Sequence, residues 1–208
     1  MSAPLSGGGV AGTGVGGPGP GPDEVLVVAD AAAWRAWLDL HEESSDGVWL
    51  LLAKKGTTEP TSLDYQEALL EALCSGWIDG QRKSVDAATF KQRYTPRRKA
   101  SLWSLRNIDL VAQLIAAERM RERGHAEIDR AKGDGRWERA YAGPAAAEPP
   151  REFLEALAAS PAALAVYESM TRSQRYSVFH TLITATTPAV LAARVARAVE
   201  RLESGAQE

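Results

Sequence analysis

The sequence predicts an α+β fold: a small, mainly antiparallel sheet with packed helices, followed by an all-helical C-terminal unit. Apolar runs and alternating stretches of strand length are confined to residues 24–96. From Ser104 onward the apolar residues recur at helical spacing, and only helical patterns follow the Pro/Ala-rich stretch 141–150. The expected organisation is a disordered tail (1–22), an α+β domain (23–142), a linker (143–150) and a helical C-terminal region (151–208).

The first 22 residues hold nine of the eighteen glycines and four of the eleven prolines. Such a segment has too little apolar surface to offset its ordering entropy, so we expect it to be disordered. Residues 12–17 match the dinucleotide fingerprint G-x-G-x-x-G. That motif needs a preceding strand and a following helix, and neither is predicted here. No cofactor is therefore predicted.

The first half of the α+β domain alternates strands and helices. Residues 24–28 form a strand candidate, and Asp30 can cap the helix that follows. The continuous apolar run 47–53 is typical of a central buried strand. Ser62 or Asp64 can cap the second helix.

A hairpin follows the second helix. Gly76 is placed to end that helix, and a strand runs from Trp77 towards Val85. Residues 86–88 form a short connection, and residues 90–94 return with alternating apolar and polar side chains. Pro96 ends the second strand because proline removes a ladder donor.

Helical spacing accounts for the rest of the chain. One helix starts after Ser104, and a second covers residues 121–132. Leu191, Val195 and Leu202 belong to one apolar stripe near the C-terminus. The four helices expected after the linker cover residues 153–159, 162–170, 173–185 and 188–202.

The composition is that of a soluble globular protein, with 45 % hydrophobic and 25 % charged residues. No apolar run approaches the length of a membrane span, and no secretory signal pattern is present. A single cysteine, Cys74, fits a reducing compartment, so we expect a cytoplasmic protein without membrane insertion.

The sequence gives little support for a catalytic nucleophile or a metal site. Cys74 lies near the C-terminal end of its helix, where the dipole disfavours a thiolate, so it is interpreted as a buried small hydrophobe. The three histidines occupy different segments without metal or triad spacing, so no metal site is predicted. Asp79 is either an ion-pair partner or a turn residue before Gly80.

Positive charge is concentrated in residues 81–106, which carry eight Lys/Arg and one acidic residue, Asp86. The whole chain is −3, so this segment is +7 and the remainder is −10. A separation of this size indicates an anion-facing surface. The candidate ligand-binding residues are Trp77, Asp79, Lys83, Lys91, Arg93, Arg97, Arg98 and Trp103.

Alternation separates two faces of the hairpin's second strand. Phe90 and Tyr94 share the face expected to pack on a helix, and Lys91 and Arg93 occupy the opposite one. The planar fork of arginine suits phosphate or carboxylate oxygens. A structural alternative stays open, in which these charges pair with acidic residues of the helices. Those acidic residues are Glu67, Glu71 and Glu118.

Several motifs in fixed order carry a family resemblance. The runs EALCSGWIDGQ, KQRYTPRRKASLWS, LIAAERM and AKGDGRW, with the stretch from PPREFLEALAAS to RVARAVERL, resemble the YdeI/OmpD-associated (bacteriocin-protection) family. The resemblance spans residues 47–203. It implies a link to bacteriocin protection and to the porin OmpD, hence to envelope stress, and it implies no catalytic residues. Ser75 departs from the aromatic residue that relatives often carry there.

Three classes of function remain open. The first is a non-catalytic stress-response protein that binds a small anionic ligand or an acidic protein partner, linked by the resemblance to envelope stress or antimicrobial-peptide protection. The second is a nucleic-acid-binding module, which the net charge of −3 disfavours. The third is an enzyme with an unrecognised site, for which no nucleophile–base pair is visible. No oligomeric state is predicted.

Overall fold

The computed structural model describes residues 24–143 and 146–205, which divide into two compact units. The sheet unit takes residues 24–98 and 119–126, and the helical unit takes residues 99–118 and 127–205. The predicted tail at residues 1–22 lies outside the described residues. The predicted domain division at residues 143–150 stays a prediction.

Helices and strands follow the predicted order. In chain order they are β1 (Val25–Leu26), α1 (Ala31–His41), β2 (Val48–Ala53), α2 (Tyr65–Cys74), β3 (Trp77–Ser84), β4 (Thr89–Pro96), α3 (Leu105–Ala116), α4 (Glu122–Gly133), α5 (Arg151–Ala158), α6 (Pro161–Ser169), α7 (Arg172–Ile183) and α8 (Pro188–Glu203). The predicted α+β class is confirmed.

The four strands form one sheet in the order β1-β2-β4-β3. Strand β4 pairs antiparallel with both β2 and β3, whereas β1 pairs parallel with β2. The sheet is therefore mixed, although most of its pairing is antiparallel as predicted. The parallel pair arises because α1 forms the crossover that two parallel strands require.

One side of the sheet carries the core of the sheet unit, and we call this side the core face. Val48, Leu50 and Leu52 of β2 are buried there together with Phe90 and Tyr94 of β4. The helices cover them with Trp34 and Leu38 from α1 and with Ala68 and Ala72 from α2. The predicted facing of Phe90 and Tyr94 is thus confirmed.

Local sequence signals set the ends of α1 and α2. Asp30 accepts a hydrogen bond from the Ala33 amide at 2.9 Å, as predicted. Asp64 rather than Ser62 caps α2, and it forms a reciprocal capping box with Glu67. Gly76 follows α2 with φ of 69°, a left-handed conformation that glycine adopts without strain. Strand β3 can therefore begin at the next residue.

The helical unit has a core of its own, built by α5 to α8. Phe153 and Tyr167 pack edge to face there, with ring centroids 5.4 Å apart. Val195 and Leu202 of α8 are buried in the same cluster and Leu191 packs against it, which confirms the predicted apolar stripe. In residues 24–143 and 146–205, every helix is too short or too polar to cross a membrane.

Candidate functional site

The sheet face opposite the core carries the positive charge of the hairpin. Lys91 lies directly across from Leu51 of β2 and from Lys83 of β3, and Arg93 lies across from Trp49. Because side chains alternate along a strand, these residues point away from the core side that holds Phe90 and Tyr94. We call Lys83, Lys91 and Arg93, together with Trp49 of β2, the basic face.

Two lysines share one indole ring. The Lys83 Nζ atom lies 4.9 Å from the centroid of the Trp49 ring, and the Lys91 Nζ atom lies 5.1 Å from it. Cation–π contacts at this range stabilise by about 0.5–1 kcal/mol at exposed sites. Trp49 is only 8 % exposed, and both ammonium groups lie beside its indole ring.

The pairing of two lysines across the strands has an electrostatic cost. Lys83 and Lys91 are direct cross-strand partners, and like charges in that position destabilise a sheet. In the part of the chain that the structure describes, no carboxylate oxygen lies within 4.0 Å of Lys83, Lys91 or Arg93. The described residues therefore supply no neutralising carboxylate at this pair.

Asp86, the acidic residue of the β3–β4 turn, is hydrogen-bonded by the amides of that turn. The Asp86 Oδ1 atom accepts hydrogen bonds from the amides of Ala88 at 2.8 Å and Thr89 at 2.6 Å. These bonds, that from Thr89 first, lower the pKa of the Asp86 carboxyl. Asp86 thus holds the β3–β4 turn and leaves the lysine charges unneutralised.

Arg93 extends the basic face towards the start of β2. Its Nη1 atom is buried and has no hydrogen-bond partner among the described residues. Its Nη2 atom lies beside Gly47, where a Cβ atom would stand 3.1 Å from it and 2.7 Å from the Tyr94 carbonyl oxygen. Gly47, with φ of 128°, makes room for the guanidinium group. A buried donor without an acceptor is unfavourable. In the described chain no carboxylate oxygen lies within 4.0 Å of this guanidinium group, so its positive charge adds to the basic face.

Two of the predicted site residues lie on the core face instead. Trp77 is fully buried against Trp34, with ring centroids 6.4 Å apart. Asp79 pairs across the ladder with Tyr94, and its Oδ2 atom accepts a hydrogen bond from the Tyr65 hydroxyl at 2.9 Å. Burial, followed by the charge of Asp79, raises the pKa of Tyr94. Trp77 and Asp79 are thus separated from the basic face by the sheet itself.

The other predicted residues lie beyond the end of β4. Arg97 is 5 % exposed, and its amide donates to the Gly76 carbonyl oxygen at 3.1 Å. Arg98 is exposed. Trp103 belongs to the helical unit, where it packs against Trp137 with ring centroids 4.9 Å apart. The structure thus brings together Lys83, Lys91 and Arg93 out of the predicted set.

Glu71, one of the acidic residues named in the structural alternative, pairs with arginines outside the hairpin. This buried carboxylate pairs with Arg119 through Oε1, and its Oε2 atom lies 3.5 Å from Nη2 of Arg121. Arg121 also bonds the Ser75 hydroxyl at 2.5 Å, which explains a polar residue at that buried position. Glu67 is occupied by the Asp64 amide in the capping box. Neither acid is paired with Lys83, Lys91 or Arg93.

Cys74 is buried, as predicted. Burial, followed by the charge of Glu71, raises the pKa of its thiol. Over residues 24–143 and 146–205, no group of three or more His, Cys, Asp or Glu residues is arranged to hold a metal ion.

Sequence reasoning missed two aromatic contributions. Trp49 was interpreted only as part of a buried strand, although alternation from Val48, Leu50 and Leu52 places it on the other face. Arg82 stacks on Phe90, with its guanidinium carbon 3.8 Å from the ring centroid, on the core side of the hairpin. Both contacts depend on strand register, which the sequence does not specify.

Two family models match the chain. Residues 26–127 match a domain of unknown function, DUF8412, and residues 146–205 match the model described as bacteriocin-protection, YdeI or OmpD-associated. The second match is shorter than the stretch 47–203 on which the resemblance rests. No curated protein and no solved structure matches the chain.

Proposed function

Because residues 146–205 belong to the bacteriocin-protection family of YdeI or OmpD-associated proteins, we propose a binding function for the chain. It is a non-catalytic protein that holds an anionic ligand or an acidic partner on the basic face. Its cellular role is protection under envelope stress, against bacteriocins or antimicrobial peptides. The basic face lies within residues 26–127, the part of the chain that matches the domain of unknown function.

One observation carries the proposal: Lys83 and Lys91 oppose each other over Trp49 without a carboxylate within 4.0 Å in the described chain. Folding places two like charges together at a cost, and a bound anion would remove that cost. Arg93 adds a further positive charge on the same face of β4. Lysine and arginine are the side chains that bind phosphate and carboxylate oxygens.

The chemistry of these groups favours binding over catalysis. Ammonium and guanidinium groups offer hydrogen-bond donors and no acceptor, so they can hold negative charge but provide no base. Tryptophan on this face is 8 % exposed. Single-stranded nucleic acid needs exposed aromatic faces for base stacking, which makes a small anion or an acidic peptide the better match. The single buried thiol suits the proposed cytoplasmic location.

A calorimetric titration with inorganic tripolyphosphate at low ionic strength tests the proposal. Lys91→Glu should weaken binding by about tenfold or more, since a hydrogen bond to a charged group contributes about 1.5–3 kcal/mol. Lys55→Glu is the matched control. Lys55 is exposed in the turn after β2, and its substitution changes the net charge by the same amount as Lys91→Glu. Lys55→Glu should bind tripolyphosphate with almost the same affinity as the wild type.

Circular dichroism of all three proteins establishes that the variants are folded. If tripolyphosphate does not bind, or if the two variants lose affinity equally, the basic face is not an anion site.

A further inference from the structure

The basic face borders an open edge of the sheet, and we propose that its anions are the carboxylates of an extended acidic peptide. The peptide adds to β3 as a further strand, in the mode known as β-augmentation. This inference rests on the proposed function, because it uses the same lysines. It goes further by naming the class of ligand and by assigning the main chain of β3 a part in binding.

Strand β3 is an edge strand in the order β1-β2-β4-β3. Within the described residues it hydrogen-bonds to β4 alone among the strands, and residues 80–84 are exposed. An exposed edge presents a row of unpaired amide and carbonyl groups that can template another strand. The opposite edge, β1, is only two residues long, so β3 is the better template.

The direction of the β3 amides follows from the end of the hairpin. The Val85 amide donates to the Thr89 carbonyl oxygen at 3.4 Å, so it points towards β4. Amide directions alternate along a strand, so the backbone amide of Lys83, two residues earlier, also points towards β4. Arg82 and Ser84 then direct their amide and carbonyl groups towards the open edge. Those groups are the ones an added strand would use.

The positive charge of β3 determines which kind of strand can bind at its open edge. Arg82 and Lys83 stand on opposite faces of β3, so the edge is positive on both sides. A second copy of β3 would bring these cations against their equivalents, which like-charge repulsion disfavours. A strand rich in Glu or Asp would place carboxylates beside Lys83 and within reach of Lys91. The complementary partner is therefore an acidic segment in extended conformation.

The experiment compares two probes, a short blocked peptide of alternating Glu and Thr and inorganic tripolyphosphate. Ser84→Pro removes an outward amide, and edge strands tolerate proline where the N–H faces solvent. Ser84→Thr keeps the amide and is the matched control. Amide hydrogen exchange of Arg82 and Ser84 in the wild type, with and without the peptide, gives a readout that needs no variant.

We expect Ser84→Pro to lose about tenfold in peptide affinity, the equivalent of one strong hydrogen bond, with tripolyphosphate affinity unchanged. Ser84→Thr should bind both probes as the wild type does, and the peptide should slow exchange at Arg82 and Ser84. A peptide with alternate amides N-methylated should bind weakly.

Equal peptide affinity of the wild type and Ser84→Pro, with no added protection at Arg82 and Ser84, overturns the inference. Binding of tripolyphosphate without binding of the peptide overturns it too, while the anion site stands. If neither probe binds, the proposed function itself fails. Concentration-dependent dimerisation that Ser84→Pro abolishes would assign the edge to a second copy and also overturn the inference.

Discussion

Reversing one charge of the opposed lysine pair should stabilise the unliganded protein while it weakens binding. In Lys83→Glu the repulsive cross-strand pair with Lys91 becomes an attractive one. Each of these pair energies is roughly 0.2–1 kcal/mol, so the change favours folding by about 1 kcal/mol. Loss of the cation–π contact with Trp49 offsets about 0.5 kcal/mol. The free energy of unfolding should therefore rise by about 0.5 kcal/mol.

Urea denaturation at low ionic strength measures this change, because urea is uncharged and does not screen the pair. Lys55→Glu serves as the control and should fall within about 0.5 kcal/mol of the wild type, as surface substitutions usually do. In about 1 M salt the Debye length falls to about 3 Å, and the gain of Lys83→Glu should shrink. A loss of about 1 kcal/mol or more in Lys83→Glu would refute the reasoning, because the lysines would then hold the sheet together.

Two further predictions concern the interior of the sheet unit. Gly124→Ala should destabilise the protein by about 2 kcal/mol in thermal unfolding, since its Cβ would stand 2.2 Å from the Cys74 carbonyl oxygen. Gly133→Ala in the same helix has no atom within 4 Å of its Cβ and should be neutral or stabilising, so equal losses would contradict the packing described. Iodoacetamide at mildly alkaline pH should alkylate Cys74 slowly in the native protein and rapidly in urea, because burial raises the thiol pKa and lowers the thiolate fraction. Equal rates in both states would show that the thiol is accessible.

Helix boundaries were predictable because their signals are local. Asp30, Asp64 and Ser104 each accept a hydrogen bond from an amide three residues later, so the cap and the helix are encoded together. The partner of Glu71 was not predictable in this way. Arg119 and Arg121 follow it by 48 and 50 positions, and only the tertiary fold selects them over the hairpin cations.

The facing of Lys83 shows why the candidate site could be predicted only in part. Asp79 pairs with Tyr94, and an uninterrupted ladder would place Lys83 on the same core face as Asp79. The register shift between Asp79 and Arg82 adds one residue to β3, which turns Lys83 to the face of Lys91. Alternation within β4 predicted Lys91 and Arg93 correctly because that strand has no such shift against β2.

The anion proposed for the basic face would lie beside Trp49 and contact both Lys83 and Lys91. Anomalous diffraction from crystals of the chain grown with selenate tests this claim most directly. A selenium peak is expected beside Lys83 and Lys91, with selenate oxygens at hydrogen-bonding distance from the Nζ atoms of both residues. A carboxylate of the chain seated there, or selenate bound elsewhere with this position vacant, would contradict it.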